Sequence, residues 1–285
     1  MYQRLLLLVL GVSLALTARA DDLAATARKL VGDHAASVLT IRLVIKEQYD
    51  GGGMDSAEYE QVSEITGTVI QPDGLMVTAL SATDPAHLYE GIMDAMPEEA
   101  GFKFETSLSK VVIVASDGKE IPAKVVLRDK DLDLAFLRPV AKPSAPWAHV
   151  PLTGDATVEP FDELVLAYRL GIAAARGCTA SFPRVANILQ KPRKLYFLGS
   201  WDGTELGGPA FTTGGQCLGI AVMRFVKSGS PSVMSMLGGD PTMAPVIVPG
   251  AAVLESAAQA TEEEAQPEEA PTPAETPKSA PEQTP

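Results

Sequence analysis

Two cysteines, Cys178 and Cys217, and three histidines, His34, His87 and His149, are the residues of this 285-residue chain most able to hold a metal or move a proton. Structural zinc sites use Cys and His in close pairs. No such spacing occurs here, so neither a metal nor a cofactor is expected. A nucleophilic thiol needs a neighbouring histidine or basic cluster to lower its pKa, and the sequence places none beside either cysteine. In an oxidising compartment a Cys178–Cys217 disulfide is allowed but not required. The alternative is two small buried residues.

The compartment is read from the N-terminus. Arg4 supplies a positive start, Leu5 to Leu16 form an apolar run, and Ala18 and Ala20 flank Arg19 in a small-x-small pattern. This is the form of a signal peptide over residues 1–20, cleaved after Ala20. The run is shorter than the roughly 20 residues a bilayer span needs, and no later segment is long and apolar enough, so no membrane span is expected. The protein is expected to be secreted or periplasmic. Its formal charge is −13. The tail from Thr261 to Pro285 holds seven Glu and one Lys, and the remaining body is still acidic. That balance disfavours nucleic acid and anionic lipid as partners.

The elements that must position any site are short β-rich runs separated by Gly, Pro and Asp. They are Ser37–Ile45, Gly67–Ile70, Leu75–Thr78, Val111–Val114, Ala123–Leu127, Leu134–Leu137, Glu163–Ala167, Leu218–Val222 and Val246–Val248. Turn signals lie between them at Pro72–Gly74 and Asp117–Gly118. Many short strands of this kind indicate an all-β barrel or sandwich. Helical pieces are expected at Leu23–Gly32 and Gly250–Ala260. The Gly-rich, acidic stretch Asp50–Val62 and a short helix over His87–Ala100 read as surface insertions. The Pro-rich stretch Ala141–Pro146 divides the strands into two sets. From about residue 259 to 285, Ala, Glu, Pro and Thr predominate. That composition cannot bury enough apolar surface to offset its ordering entropy, so the tail is expected to be disordered.

Three segments, in order, resemble the HtrA-like branch of the trypsin-like serine proteases. Gly67–Ser81 is similar to the family's glycine-led strand, Asp-Gly turn and following strand, which ends in the triad histidine. Val111–Leu137 contains Asp117-Gly118 and then Asp131, Asp133, Leu134 and Ala135, like the family's triad-aspartate strand. Thr204–Pro209 followed by Gly215–Ile220 is similar to the nucleophile loop and the hairpin after it. The resemblance implies two six-stranded antiparallel β-barrels with short N- and C-terminal helices over residues 21–258. Barrel one would span about 36–140 and barrel two about 147–250. No PDZ-like domain is expected after the barrels, since the chain runs on into the acidic tail.

Transferred residue by residue, the triad falls on Ser81 for the histidine, Asp133 for the aspartate and Leu206 for the serine. Only the aspartate is kept. Acyl transfer needs a hydroxyl made nucleophilic by an imidazole, and the aspartate only orients that imidazole. Leucine has no lone pair to attack with, and serine is no base near neutral pH. The oxyanion-hole positions fall on Thr204 and Leu206, where Thr204 replaces a glycine and its conformational freedom. Ser200 and Thr204 are hydroxyls near these positions, but no matched position supplies a base. His34 and His149 are expected to be structural or solvated, and His87 to lie outside the site. The resemblance therefore implies a pseudoprotease that holds a protein or peptide partner in the inter-barrel cleft, as family members bind substrate by strand addition. Two other functions fit the same chain. One is an active endopeptidase using displaced residues, and the other is a structural envelope protein whose working part is the tail.

Overall fold

The computed structural model describes residues 22–51, 54–84, 103–153, 156–199, 203–225 and 243–261. The proposed signal peptide, His87 with its expected helix, Ser200 and nearly all of the acidic tail lie outside these residues. A helix α1 over 22–34 precedes the strands. Barrel one is built from β1 (Val38–Gly51), β2 (Met54–Val69), β3 (Met76–Ala79), β4 (Lys103–Val114), β5 (Glu120–Asp129) and β6 (Leu134–Pro139). These close in the order β1-β2-β3-β6-β5-β4. A one-turn helix α2 (Leu80–Thr83) leaves β3.

The turns between strands form where the sequence places them. Gly74 adopts φ 88°, its N–H reaches Gln71 O at 3.1 Å, and Asp73 Oδ1 accepts from Leu75 N at 3.1 Å. Gly118 does the same with φ 83° and Ala115 O at 2.9 Å. Within Asp50–Val62, residues 50–51 and 54–62 are strand, continuing β1 and β2, whose register runs from Val38↔Thr68 to Gly51↔Met54. Strand β4 extends along the same arm, from Thr40↔Val114 to Asp50↔Lys103.

The second sheet contains β7 (Leu164–Arg169), β8 (Cys178–Ser181), β9 (Val185–Leu189), β10 (Leu195–Leu198), β11 (Pro209–Thr212), β12 (Cys217–Phe225) and β13 (Met243–Pro249). Its order is β8-β7-β11-β12-β13-β10-β9. Seven strands stand where six were expected, and the extra one arises from a break. The two ends of the sheet, β8 and β9, are successive halves of one run interrupted at Phe182–Arg184. The break itself still pairs with the start of β7, through Leu164 N to Pro183 O at 2.9 Å and Val185 N to Asp162 O at 3.0 Å. Proline at 183 has no N–H to give the ladder, which accounts for the interruption. The sheet therefore curls back through a single bent strand. Helix α3 (Gly250–Ala257) follows β13.

Three apolar clusters follow from this arrangement. One is confined to barrel one and includes Ile41, Leu43, Met76, Ile113 and Leu137. Another belongs to the second sheet, with Leu166, Tyr196, Leu218 and Ile247. The third joins the two halves, bringing Val77, Leu134 and Phe136 together with Val165, Phe211 and Ile220. Strand β6 is buried on both faces, because Leu137 faces one cluster while Leu134 and Phe136 face another. Both terminal helices seal this joint through Ala27, Leu30, Val253 and Ala257. No helix among the described residues is long and apolar enough to cross a membrane.

Candidate functional site

The register of β3 against β6 brings the site together. Ala79 pairs with Leu134, so the next residue of each strand end also meets, and Leu80 N donates to Asp133 O at 2.9 Å. Helix α2 then turns at once, with Thr83 Oγ1 donating to Leu80 O at 2.8 Å. This puts Ser81 directly against Asp133. The aspartate ends the turn between β5 and β6 with φ 55°, a left-handed conformation rare outside glycine, asparagine and aspartate.

Asp133 and Ser81 are almost fully buried, at 3% and 4% exposure. The Asp133 carboxylate accepts from Ser81 N at 2.7 Å through Oδ1. Its Oδ2 accepts from Ser81 Oγ at 2.8 Å and from Met223 N at 2.9 Å. Burying a carboxylate is costly unless strong donors replace water, and hydrogen bonds to a charged acceptor are the stronger kind. Met223 lies on β12, so the carboxylate also ties the two halves of the molecule together. The Ser81 hydroxyl is committed as a donor. A carboxylate is far too weak a base to remove its proton near neutrality, so this pair does not make a nucleophile.

The loop holding Leu206 is pinned between the two halves. Gly207 has φ 82°, and its N–H donates to Ala221 O at 2.8 Å. Its carbonyl accepts from Thr68 Oγ1 at 2.8 Å, while Gly208 N reaches Glu205 O at 2.9 Å. A Cβ at Gly207 would overlap the Thr66 carbonyl oxygen and Thr78 Oγ1, so only glycine fits. Leu206 is half-buried and packs on the joint cluster, as does Ala82 beside Ser81. Thr204 is exposed. The glycine-like backbone of this loop falls on Gly203, at φ 90°, and not on Thr204. Glu205, between Thr204 and Leu206, is buried, at 4% exposure.

The remaining candidates have other roles. Cys178 and Cys217 are free thiols, not a disulfide. Burial pushes the Cys217 thiol up to about 12 and raises that of Cys178, which makes both poor nucleophiles. His34 stacks on Phe211 with ring centroids 4.9 Å apart, and burial lowers its pKa. His149 is exposed on the linker between the halves, with Nδ1 3.4 Å from Trp147 O. No group of three or more His, Cys, Asp or Glu among the described residues could hold a metal. Sequence reading did not identify Met223, because its part is played by a backbone N–H that carries no residue-type signal.

The sequence matches the family model of the trypsin-like peptidase domain over residues 65–220, more than half of the chain. No curated protein matches it. Among solved structures, the Rv3671c protease of M. tuberculosis in its active form is similar, with 19% identity and a TM-score of 0.51. That likeness covers 83% of this chain and 86% of that one. The MamO protease domain of Magnetospirillum magneticum in its apo form aligns at 16% identity and a TM-score of 0.43, covering 74% and 94%. A family match that includes β3, Asp133 and the Leu206 loop agrees with the barrels and the joint between them. The chain belongs to the trypsin-like peptidase domain family.

Proposed function

We propose that this protein is an exported pseudoprotease, a module that holds an extended protein or peptide segment in the cleft between its barrels without cutting it. The observation that carries this reading is the Ser81 hydroxyl donating to Asp133 Oδ2, which occupies the acceptor that would otherwise orient an imidazole. Leu206 supports it. At the nucleophile's position it places a half-buried apolar side chain packed, like Ala82, against the joint cluster, which suits an apolar segment better than a reacting one. The signal-like residues 1–20 support export.

The test uses protein recovered from cells making the full precursor, which should begin at Asp21 by mass. A serine-directed phosphonate probe should leave it unlabelled and should label a Ser81→His/Leu206→Ser double variant. Fluorescently labelled unfolded casein should bind the unsubstituted protein and remain intact, and Leu206→Asp should weaken that binding about tenfold. Labelling of the unsubstituted protein at any one hydroxyl would establish a displaced nucleophile instead. Absence of casein binding would leave the cleft without a role as a peptide holder.

A further inference from the structure

The loop 190–194 between β9 and β10 carries three cations, Lys191, Arg193 and Lys194, on a chain whose formal charge is −13. Lys191 and Arg193 are exposed, and Lys194 is half-buried with Nζ 5.0 Å from the centre of the Tyr196 ring. Among the described residues none of the three pairs with an acid. Like charges this close repel, so an anion settling among them is favoured. The fold sets this loop beside the root of the C-terminal segment. Tyr196 pairs with Ile247 and Phe197 with Val246, so β10 begins level with Val248, one residue before β13 ends and α3 departs. Leu189 and Leu195, which flank the loop, pack into the same apolar cluster as Val253, Ala257 and Ala260. The eight residues of α3 rise about 12 Å. The four residues after it extend at most about 14 Å, so Glu262 starts within roughly 30 Å of the loop. Helix α3 packs back on β12 and β13, which keeps the true separation below that limit.

We propose that the basic loop between β9 and β10 is the docking site of this chain's own acidic segment, residues 262–269. That segment reads Glu-Glu-Glu-Ala-Gln-Pro-Glu-Glu, five carboxylates without a cation. Extended, its eight residues span about 27 Å, so its reach suffices. A single exposed ion pair contributes little. Here five carboxylates face three cations, and the tether holds them at an effective concentration on the order of millimolar. An outside acidic segment would have to displace carboxylates that never leave the neighbourhood, so the chain's own segment is the occupant. The two ammonium groups on flexible stems tolerate carboxylates spaced along an extended chain. The Arg193 guanidinium adds a fork that takes one carboxylate through two hydrogen bonds. Attraction between exposed charges fades beyond about 8 Å at physiological ionic strength, so the contact is direct and weakens with salt.

The experiment treats the full chain with a carbodiimide, which joins a lysine to a carboxylate in contact with it, and maps the new amide bonds by mass spectrometry. Coupling of Lys191 or Lys194 to glutamates of 262–269 should occur within single chains. It should exceed coupling of the same glutamates to the exposed Lys119 of the β4–β5 turn. Its yield should fall at least about fivefold between about 50 mM and about 1 M salt. Arg193→Gln leaves both lysines as targets and should still cut the yield at least about threefold. A thermal midpoint equal to that of the natural chain checks that this variant is folded. Undiminished coupling in Arg193→Gln would mean that the segment meets the lysines through its tether alone, and would overturn the proposal. So would absence of coupling, coupling spread evenly over Lys191, Lys194 and Lys119, or a yield indifferent to salt. Coupling found only between chains would make a second copy's segment the occupant and would overturn it as well.

Discussion

At the scale of single residues, Asp133 is held by backbone and hydroxyl donors, without a histidine. Both of its oxygens receive donors, and two of those donors belong to Ser81. Ser81 therefore supplies two of the donors that compensate the burial of this acid. Ser81→Ala should destabilise the protein by about 1.5–3 kcal/mol, the usual worth of a hydrogen bond to a charged group. In an Asp133→Asn background the same change should cost about half as much, since a neutral amide is the weaker acceptor. Asparagine tolerates the left-handed backbone at 133, so the comparison isolates the acceptor. Urea unfolding of the four proteins measures it; equal costs in both backgrounds would show that Asp133 is not what Ser81 stabilises. The alignment of motifs made Ser81, Asp133 and Leu206 legible as matched positions. Their contact was not legible, because it depends on the β3–β6 register and on a backbone group of β12.

At the scale of elements, the loop that holds Leu206 is fixed in shape by the other half of the molecule. The reason lies across the joint, where Thr68 grips the Gly207 carbonyl and Thr66 and Thr78 leave no room for a side chain. Gly118 has nearly the same backbone, φ 83°, but nothing within 4 Å of a Cβ. Gly118→Ala should therefore cost about 1 kcal/mol, the left-handed penalty alone. Gly207→Ala should cost at least about 2 kcal/mol more, because the overlap is with backbone and a buried hydroxyl. Thermal midpoints of the two variants, measured side by side, check this; equal shifts would mean the loop moves aside freely. The same scale shows what sequence reading missed. Nine of the thirteen strands among the described residues contain a β-rich run evident in the sequence, but Val185–Leu189 and Leu195–Leu198 are hidden among Pro183, Pro192 and nearby basic residues. The stretch Asp50–Val62 of the β1–β2 arm reads as a surface insertion because it is Gly-rich and acidic. Cross-strand pairing holds it as a sheet, with Lys46 3.2 Å from Glu58.

At the scale of the whole molecule, the two halves are also joined by charge. Glu64 on β2 accepts from Arg176, in the β7–β8 connection, with Nη2 to Oε1 at 2.7 Å. It also takes Arg42 Nε at 3.1 Å, and Arg42 in turn pairs with Glu120. The Arg169 guanidinium adds ties to carbonyls, donating across the joint to Val38 and Ala35 and within its own half to Arg176. The Arg176 hydrogen bond, aided by Arg42 and opposed by partial burial, holds the Glu64 carboxyl below its ordinary value of 4.5. A depressed carboxyl pKa stabilises the fold only while the group is ionised. Its contribution is complete above the unfolded-state value and is lost as pH falls through the folded-state one. Glu64→Gln should therefore lower stability by about 1 kcal/mol at pH 7, a magnitude limited by solvent screening at a partly exposed site. The gap between the two proteins should stay constant down to about pH 5, then close on further acidification as the natural carboxyl protonates. Urea unfolding at a series of pH values, at low and high salt, measures the gap. A gap that widens with acid would reverse the sign and would mean that Glu64 is better held protonated than ionised. A gap that persists unchanged below the folded-state pKa would trace the cost to lost packing and not to the ion pair with Arg176.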